Sequence, residues 1–130
     1  MPVRYINPDA LSTPPGYTHV VEVKGGRTIY ISGQVPLDKA GNVVGPTDFA
    51  AQATQVFDNL ALALASVGAT FDNVVKNNTY ITNMAKIQTL REIRSKYYGE
   101  NAPASTLVEV SKLARSEFMI EIELIAVLPD

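Results

Sequence analysis

Phe118 to Val127 reads Phe-Met-Ile-Glu-Ile-Glu-Leu-Ile-Ala-Val. Successive side chains of a β-strand leave opposite faces. Phe118, Ile120, Ile122, Leu124 and Ala126 therefore share one face, and Met119, Glu121, Glu123, Ile125 and Val127 share the other. The first face is wholly apolar and calls for a covering layer. The second mixes apolar residues with two glutamates.

Working outward, Thr18–Val23 and Thr28–Val35 are rich in β-branched residues and flank Gly25-Gly26, which predicts a hairpin. Residues 7–16 hold three prolines and a glycine and predict a loop or extended arm. Over 48–67, Phe49, Ala53, Val56, Phe57, Leu60, Leu64 and Val67 recur three or four apart and predict an amphipathic helix. Thr47 is its expected cap, Asp48 suits the positive end of the helix dipole, and Gly68 suits the end of the last turn. Val74–Ile81 predicts another strand. A second helix is expected over 85–98, capped by Asn83 and stopped by Gly99, with Ile87, Leu90, Ile93 (or Arg94) and Tyr97 on its apolar stripe. Strands at 105–110 and 118–127 complete an α+β order β-β-α-β-α-β-β, with two helices on one face of a mixed sheet. Two helices cannot cover both faces. A bare, half-apolar second face of several hundred Å² predicts self-association.

The chain of 130 residues suits one domain over 1–130 with one core. There is no cysteine, so thiolate chemistry and cysteine-ligated metals are excluded, and a single histidine, His19, cannot build a multi-histidine site. No cofactor or metal is expected. The formal charge of −2 and the lack of any Lys/Arg run argue against nucleic acid. No apolar run approaches the ~20 residues of a membrane span, and a cytoplasmic protein is the simplest expectation.

Three stretches carry a family resemblance: Tyr30-Ile-Ser-Gly-Gln-Val-Pro-Leu37, Ala102-Pro-Ala-Ser-Thr-Leu-Val-Glu-Val110 and Ile120-Glu-Ile-Glu-Leu-Ile-Ala-Val127. Together they resemble the RidA/YjgF family, the reactive-intermediate imine/enamine deaminases, also described as the endoribonuclease L-PSP family. The resemblance implies the chorismate mutase-like YjgF fold. It also implies a homotrimer whose sheets form a central barrel, with three sites in the clefts between subunits. The implied partner is a small-molecule ligand, a small organic acid.

Site residues follow residue by residue. Glu121, the first glutamate of Ile-Glu-Ile-Glu, matches the family position that holds or activates the hydrolytic water, although a strand glutamate is ordinarily solvated. Gly33 of Ser-Gly-Gln matches a glycine whose carbonyl helps bind substrate; taken alone, a lone strand glycine marks a bulge or a close approach. Tyr17, after Gly16, is implied at the mouth of the cleft. The resemblance implies that Ser105 and Thr106 occupy an anion-binding turn and bind substrate: deaminating members resemble Pro-Ala-Arg-Ser where this chain has Pro103-Ala104-Ser105-Thr106. That arginine grips the substrate carboxylate with a planar fork. A serine hydroxyl in its place forfeits on the order of 1.5–3 kcal/mol, the worth of a hydrogen bond to a charged group. Arg91 and Arg94 align with a family asparagine and tyrosine and lie three apart on one helix face; they read either as two solvated helix arginines pairing with neighbours such as Glu92 or as a relocated anion clamp. His19 reads as a packed or exposed strand histidine, and Lys76, Asn77 and Asn78 as a polar rim.

Two functions compete. One is hydrolysis of an imine, an enamine or a related conjugated acid, with an altered substrate. The other is a non-catalytic trimer that binds a small ligand or a partner protein. A ribonuclease is disfavoured by the acidic balance and the missing histidine pair.

Overall fold

The computed structural model describes residues 2–130. Strand β1, Val3–Ile6, pairs antiparallel with β2, Val20–Val23, as a separate two-stranded ribbon. An exposed Arg4–Glu22 ion pair at 2.9 Å bridges the two strands. The four-stranded main sheet contains β3, Arg27–Gln34; β4, Val74–Ile81; β5, Ala104–Glu109; and β6, Ile120–Leu128, in the order β3-β6-β4-β5. Its β4–β5 pair is parallel and the other two pairs are antiparallel, so the sheet is mixed. A parallel pair needs a crossover. Helix α2, Ile87–Arg94, supplies it, while α1, Phe49–Ala65, lies between β3 and β4 in the chain.

The expected hairpin is a misreading, and β1 was not anticipated. Gly25 and Gly26 do take the positive φ that a tight turn needs, at 77° and 85°. The turn, however, passes the chain from one sheet to the other. In pairing with β6, β3 buries Ile31, whereas no residue of β2 is buried. Burial therefore outweighs turn proximity. The ribbon strand also starts later than expected, at Val20, which leaves Tyr17 in the bend before it.

Helix α1 is capped by Asp48, whose Oδ1 accepts from the Ala51 N–H at 3.1 Å, one residue after the expected Thr47. It ends at Ala65, with Gly68 at φ 77°, so Val67 falls off the buried stripe and is 37% exposed. Its apolar face buries Phe49, Ala53, Val56, Phe57, Leu60 and Leu64 against the sheet. Gln52 shares that face with no exposed surface. Its amide donates to the Gly45 and Glu117 carbonyls at 3.1 and 2.8 Å and accepts from the Met119 N–H at 2.8 Å. One buried side chain thus ties two loops to the helix and satisfies three backbone groups that would otherwise be costly to bury.

The second helix is shorter than expected. Asn83 caps a 3-10 turn over Met84–Lys86, and α2 stops at Arg94. Tyr97 then stacks on Phe57 with ring centroids 4.8 Å apart, and Tyr98 meets Phe71 edge-on at 5.1 Å. This aromatic packing draws the last residues of the periodic stretch out of the helix.

The phase expected for β6 is observed over most of its length. Ile120, Ile122, Leu124 and Ala126 are buried under the helices, while Glu121, Glu123 and Ile125 are half-buried on the other face. Val127, expected on the open face, is buried. Register puts Tyr80 opposite Glu121, Asn78 opposite Glu123, and Thr106 opposite Asn78. The open face is therefore more polar than β6 alone implied.

Candidate functional site

Two regions at opposite edges of the main sheet hold the chemically able residues. At the β5 edge a cleft of about 460 Å³ opens between the end of α2, the start of β5 and the Pro15-Gly16 bend. Its wall is built by parallel register. Asn77 on β4 stands beside Ser105 on β5, both in the phase that faces the helices. Ser105 Oγ donates to Asn77 Oδ1 at 2.6 Å, and Asn77 Nδ2 donates to the Tyr98 hydroxyl at 3.1 Å. Asn77 is only 3% exposed, so this chain of bonds is well shielded from water. Burial, partly offset by the Asn77 bond and by the nearby Arg94 charge, pushes the Tyr98 hydroxyl up to about 12. Tyr98 therefore keeps its proton at any physiological pH.

Arg91 and Arg94 line the same cleft. Arg94 Nη2 lies over Gly16, where a β-carbon would stand 3.2 Å from it. Burial lowers the Arg94 pKa, Tyr98 opposes that shift, and the like charge of Arg91 adds to it; a guanidinium nevertheless remains charged. Among the described residues neither arginine has a carboxylate within ion-pair distance, although Glu100 also lines the cleft. The N-terminal wall is fastened from a distance: the Thr18 hydroxyl donates to the Ala102 carbonyl at 2.6 Å and the Thr18 N–H to the Pro103 carbonyl at 3.2 Å. That anchor sets Tyr17 beside the cleft, with its ring edge-on to His19 at 5.2 Å. The His19 ring Nε2 is within 2.7 Å of the Ser12 carbonyl, which makes it a clasp for the arm.

At the opposite edge the β3–β6 ladder breaks between Ile31 and Gln34, where Ser32 and Gly33 sit. The Glu121 carboxylate occupies the space above Gly33. A β-carbon there would collide with Glu121 Oε2 and lie 2.8 Å from Cδ. Gly33 has no left-handed φ, so the position needs glycine for room and not for backbone freedom. On α1, Asn59 donates to the Val35 and Leu37 carbonyls at 3.1 and 2.9 Å and fixes the chain leaving this bulge. Glu123, two residues on, is engaged differently. It accepts from the Tyr80 hydroxyl at 2.6 Å and from Asn78 at 3.2 Å, and these bonds hold its carboxyl below the usual range.

The six residues singled out from sequence thus fall into groups. Ser105 and Arg91 share the cleft, Gly33 and Glu121 share the bulge, and Tyr17 stands next to the cleft. Thr106 is separated from Ser105: its hydroxyl accepts from Lys76 Nζ at 2.9 Å, in the phase of the open face. The pair was expected in one turn, but Ala104–Glu109 is a strand, and neighbours in a strand face opposite ways. Asn77 and Tyr98 were not singled out as site residues. A polar Asn77 in step with buried Ile81 on β4 was the available signal for the first. Nothing in the sequence marks the second.

The family model described as Endoribonuclease L-PSP matches residues 8–128. The chain belongs to the RidA/YjgF/L-PSP family. A mouse 2-iminobutanoate/2-iminopropanoate deaminase is 38% identical over 111 residues, which is 85% of this chain and 80% of that one. A crystal structure of a Rid-family protein of unknown function from Yersinia pestis superposes with a TM-score of 0.89 at 38% identity, covering 98% of this chain and all of the other. RidA from an Antarctic Psychrobacter gives 0.74 at 31% identity, over 90% of this chain and 92% of its own. The α+β fold with two helices on a mixed sheet is therefore that of the family. Among the described residues no helix is long and apolar enough to cross a membrane.

Proposed function

We propose that this family member hydrolyses small imino or enamino acids as a homotrimer, with Glu121 as general base. The observation that carries the reading is the Glu121 carboxylate seated over Gly33 at a break in the ladder. Water adds across the C=N bond, Glu121 takes a proton from that water, and ammonia leaves the resulting carbinolamine to give the 2-oxo acid and NH3. The Gly33 carbonyl orients the water or substrate. Tyr17 borders the ligand, Ser105 contributes a neutral contact where deaminating relatives resemble Pro-Ala-Arg-Ser, and Arg91, with Arg94 beside it in the cleft, supplies positive charge to the acid end of the ligand. The Thr106 hydroxyl, bonded to Lys76 in the phase of the open face, is assigned no ligand contact.

The separation of the two regions supports the trimer. Strands β3 and β5 are the opposite edges of one sheet, so one chain does not bring Glu121 to Arg91. Apposing the β3 edge of one subunit to the cleft of the next joins them, and it also covers Tyr30 and Leu62, which are 78% and 71% exposed. Light scattering should give three times the chain mass of 14.1 kDa; a stable monomer at micromolar concentration would sink the assembly and with it the shared site.

The direct test of activity uses 2-iminobutanoate generated in situ. Wild type should hydrolyse it weakly, and Ser105→Arg should recover part of the rate, because the fork restores about 1.5–3 kcal/mol of charge-assisted bonding. Wild-type turnover equal to that of an arginine-bearing relative would overturn the role given to Ser105.

A further inference from the structure

The cleft holds more positive charge than one carboxylate needs. Arg91 and Arg94 line it from one helix face, and although Glu100 lines it too, no carboxylate among the described residues lies within ion-pair distance of either guanidinium. Cations in the last turn of a helix complement its dipole, and that alone explains an exposed arginine. It explains Arg91 but not Arg94, whose guanidinium is drawn half-buried over Gly16 at a position where any side chain would crowd it.

Next to Arg94, the hydrogen-bond chain has a direction. Ser105 donates to Asn77, and Asn77 donates to Tyr98. The Tyr98 oxygen is thus already an acceptor, and its own proton has no partner among the described residues. A hydroxyl that must donate, beside an uncompensated guanidinium, is an acceptor-seeking pair suited to one carboxylate. Arg91 lies one helical turn away and more exposed, so it is left for a second anion. The volume of about 460 Å³ falls in the range of sites that enclose drug-sized molecules, with room beyond a four-carbon acid.

We propose that this cleft recognises a small acid with two anionic groups, one held by Arg94 and Tyr98 and the other by Arg91. Resting on the deaminase reading, this makes the substrate a 2-imino dicarboxylate. Hydrolysis then yields a 2-oxo dicarboxylate and ammonia, with water supplying the carbonyl oxygen and no oxidant or reductant required.

Binding of the product-side acids tests this without any catalysis. Calorimetry on the wild-type assembly compares 2-oxoglutarate with 2-oxobutanoate, and inorganic phosphate serves as a third ligand. The expected result is a preference of about tenfold or more for 2-oxoglutarate over both, the worth of one charge-assisted contact. Arg91→Gln, at an exposed position, should weaken 2-oxoglutarate more than 2-oxobutanoate and so reduce that preference to about twofold. Arg94→Gln should weaken both acids, and Arg94→Lys should restore them only in part, because an ammonium lacks the planar fork. Equal affinity for the two acids, phosphate binding as tightly as 2-oxoglutarate, or a preference untouched by Arg91→Gln would each overturn the proposal. If Arg94→Gln fails to fold, Arg91→Gln still decides it. Wild type that shows the preference yet hydrolyses no imine would sink the deaminase reading and leave the two-anion site standing.

Discussion

Beneath the helices, the β6 part of the sheet and the β4–β5 part follow different rules. On β6 every helix-facing residue from Ile120 to Ala126 is apolar and buried. On β4 and β5 the same face carries Asn77, Thr79 and Ser105. The first surface is filled by α1, while at the second α2 ends early and a cleft remains. A buried polar group is tolerated only when it is bonded, and here Asn77 is bonded on both sides. Polarity in the core-facing phase of a strand thus marks where packing yields to binding.

This contrast can be broken by substitution. Leu124→Ala, on the apolar part, should cost about 3 kcal/mol in denaturant unfolding, within the 2–5 kcal/mol of buried Leu truncations, and leave ligand affinity of the folded protein unchanged. Glu121→Gln, on the opposite face of the same strand, should do the reverse. Its rate should fall by about 10²-fold with little change in stability, the usual worth of a general base. Glu123→Gln is the control and should keep the rate. If both glutamine variants turn over substrate like wild type, Glu121 is not the base; if Glu121→Gln does not fold, its carboxylate is structural. Asn77→Ala belongs between the two classes. It strips partners from Ser105 and Tyr98, so it should cost about 1–2 kcal/mol in stability and also weaken 2-oxoglutarate binding.

The smallest effect concerns pH. The folded-state pKa of Glu123 is depressed, first by the Tyr80 bond and then by the Asn78 bond. Its stabilisation is therefore fully present above the unfolded value of about 4.3 and is lost as pH falls through the lower folded value. Urea unfolding at pH 7 and pH 3 should show wild type and Glu123→Gln converging at the acid end. A gap that stays constant with pH would mean that the Tyr80–Glu123 bond contributes nothing through ionisation.

Much of this was legible in the sequence, for reasons the contrast makes plain. Period two in 118–127 and period 3.6 in 49–64 report burial directly, so β6 and α1 are found nearly in place. Glycine at 33 signalled its bulge because steric need leaves a mark on a single residue. The ribbon strand β1 was missed because four residues, none of them buried, carry almost no burial signal. The Gly25-Gly26 turn was seen, but a turn does not say which sheet its arms join. The Asn77–Ser105–Tyr98 chain was illegible because it depends on a parallel register and on where α2 stops, and both are set by tertiary packing. The separation of Ser105 from Thr106 was legible, since the strand expected at 105–110 already sets neighbouring side chains on opposite faces, and the turn implied by the family resemblance overrode it.

The Thr18 anchor has a bearing on how the molecule comes into being. Its bond to Ala102 spans 84 positions of the chain. During synthesis at about 5–20 residues per second, the arm carrying Gly16 therefore waits several seconds for its counterpart to be made. The β1–β2 ribbon and α1 are complete well before then, whereas the cleft wall can close only when the last third has emerged. Contacts of such long range form late, because loop closure must precede any reward. A nascent or truncated chain without β5 and β6 would thus have no binding cleft, and ligand capture would report that synthesis had passed residue 128.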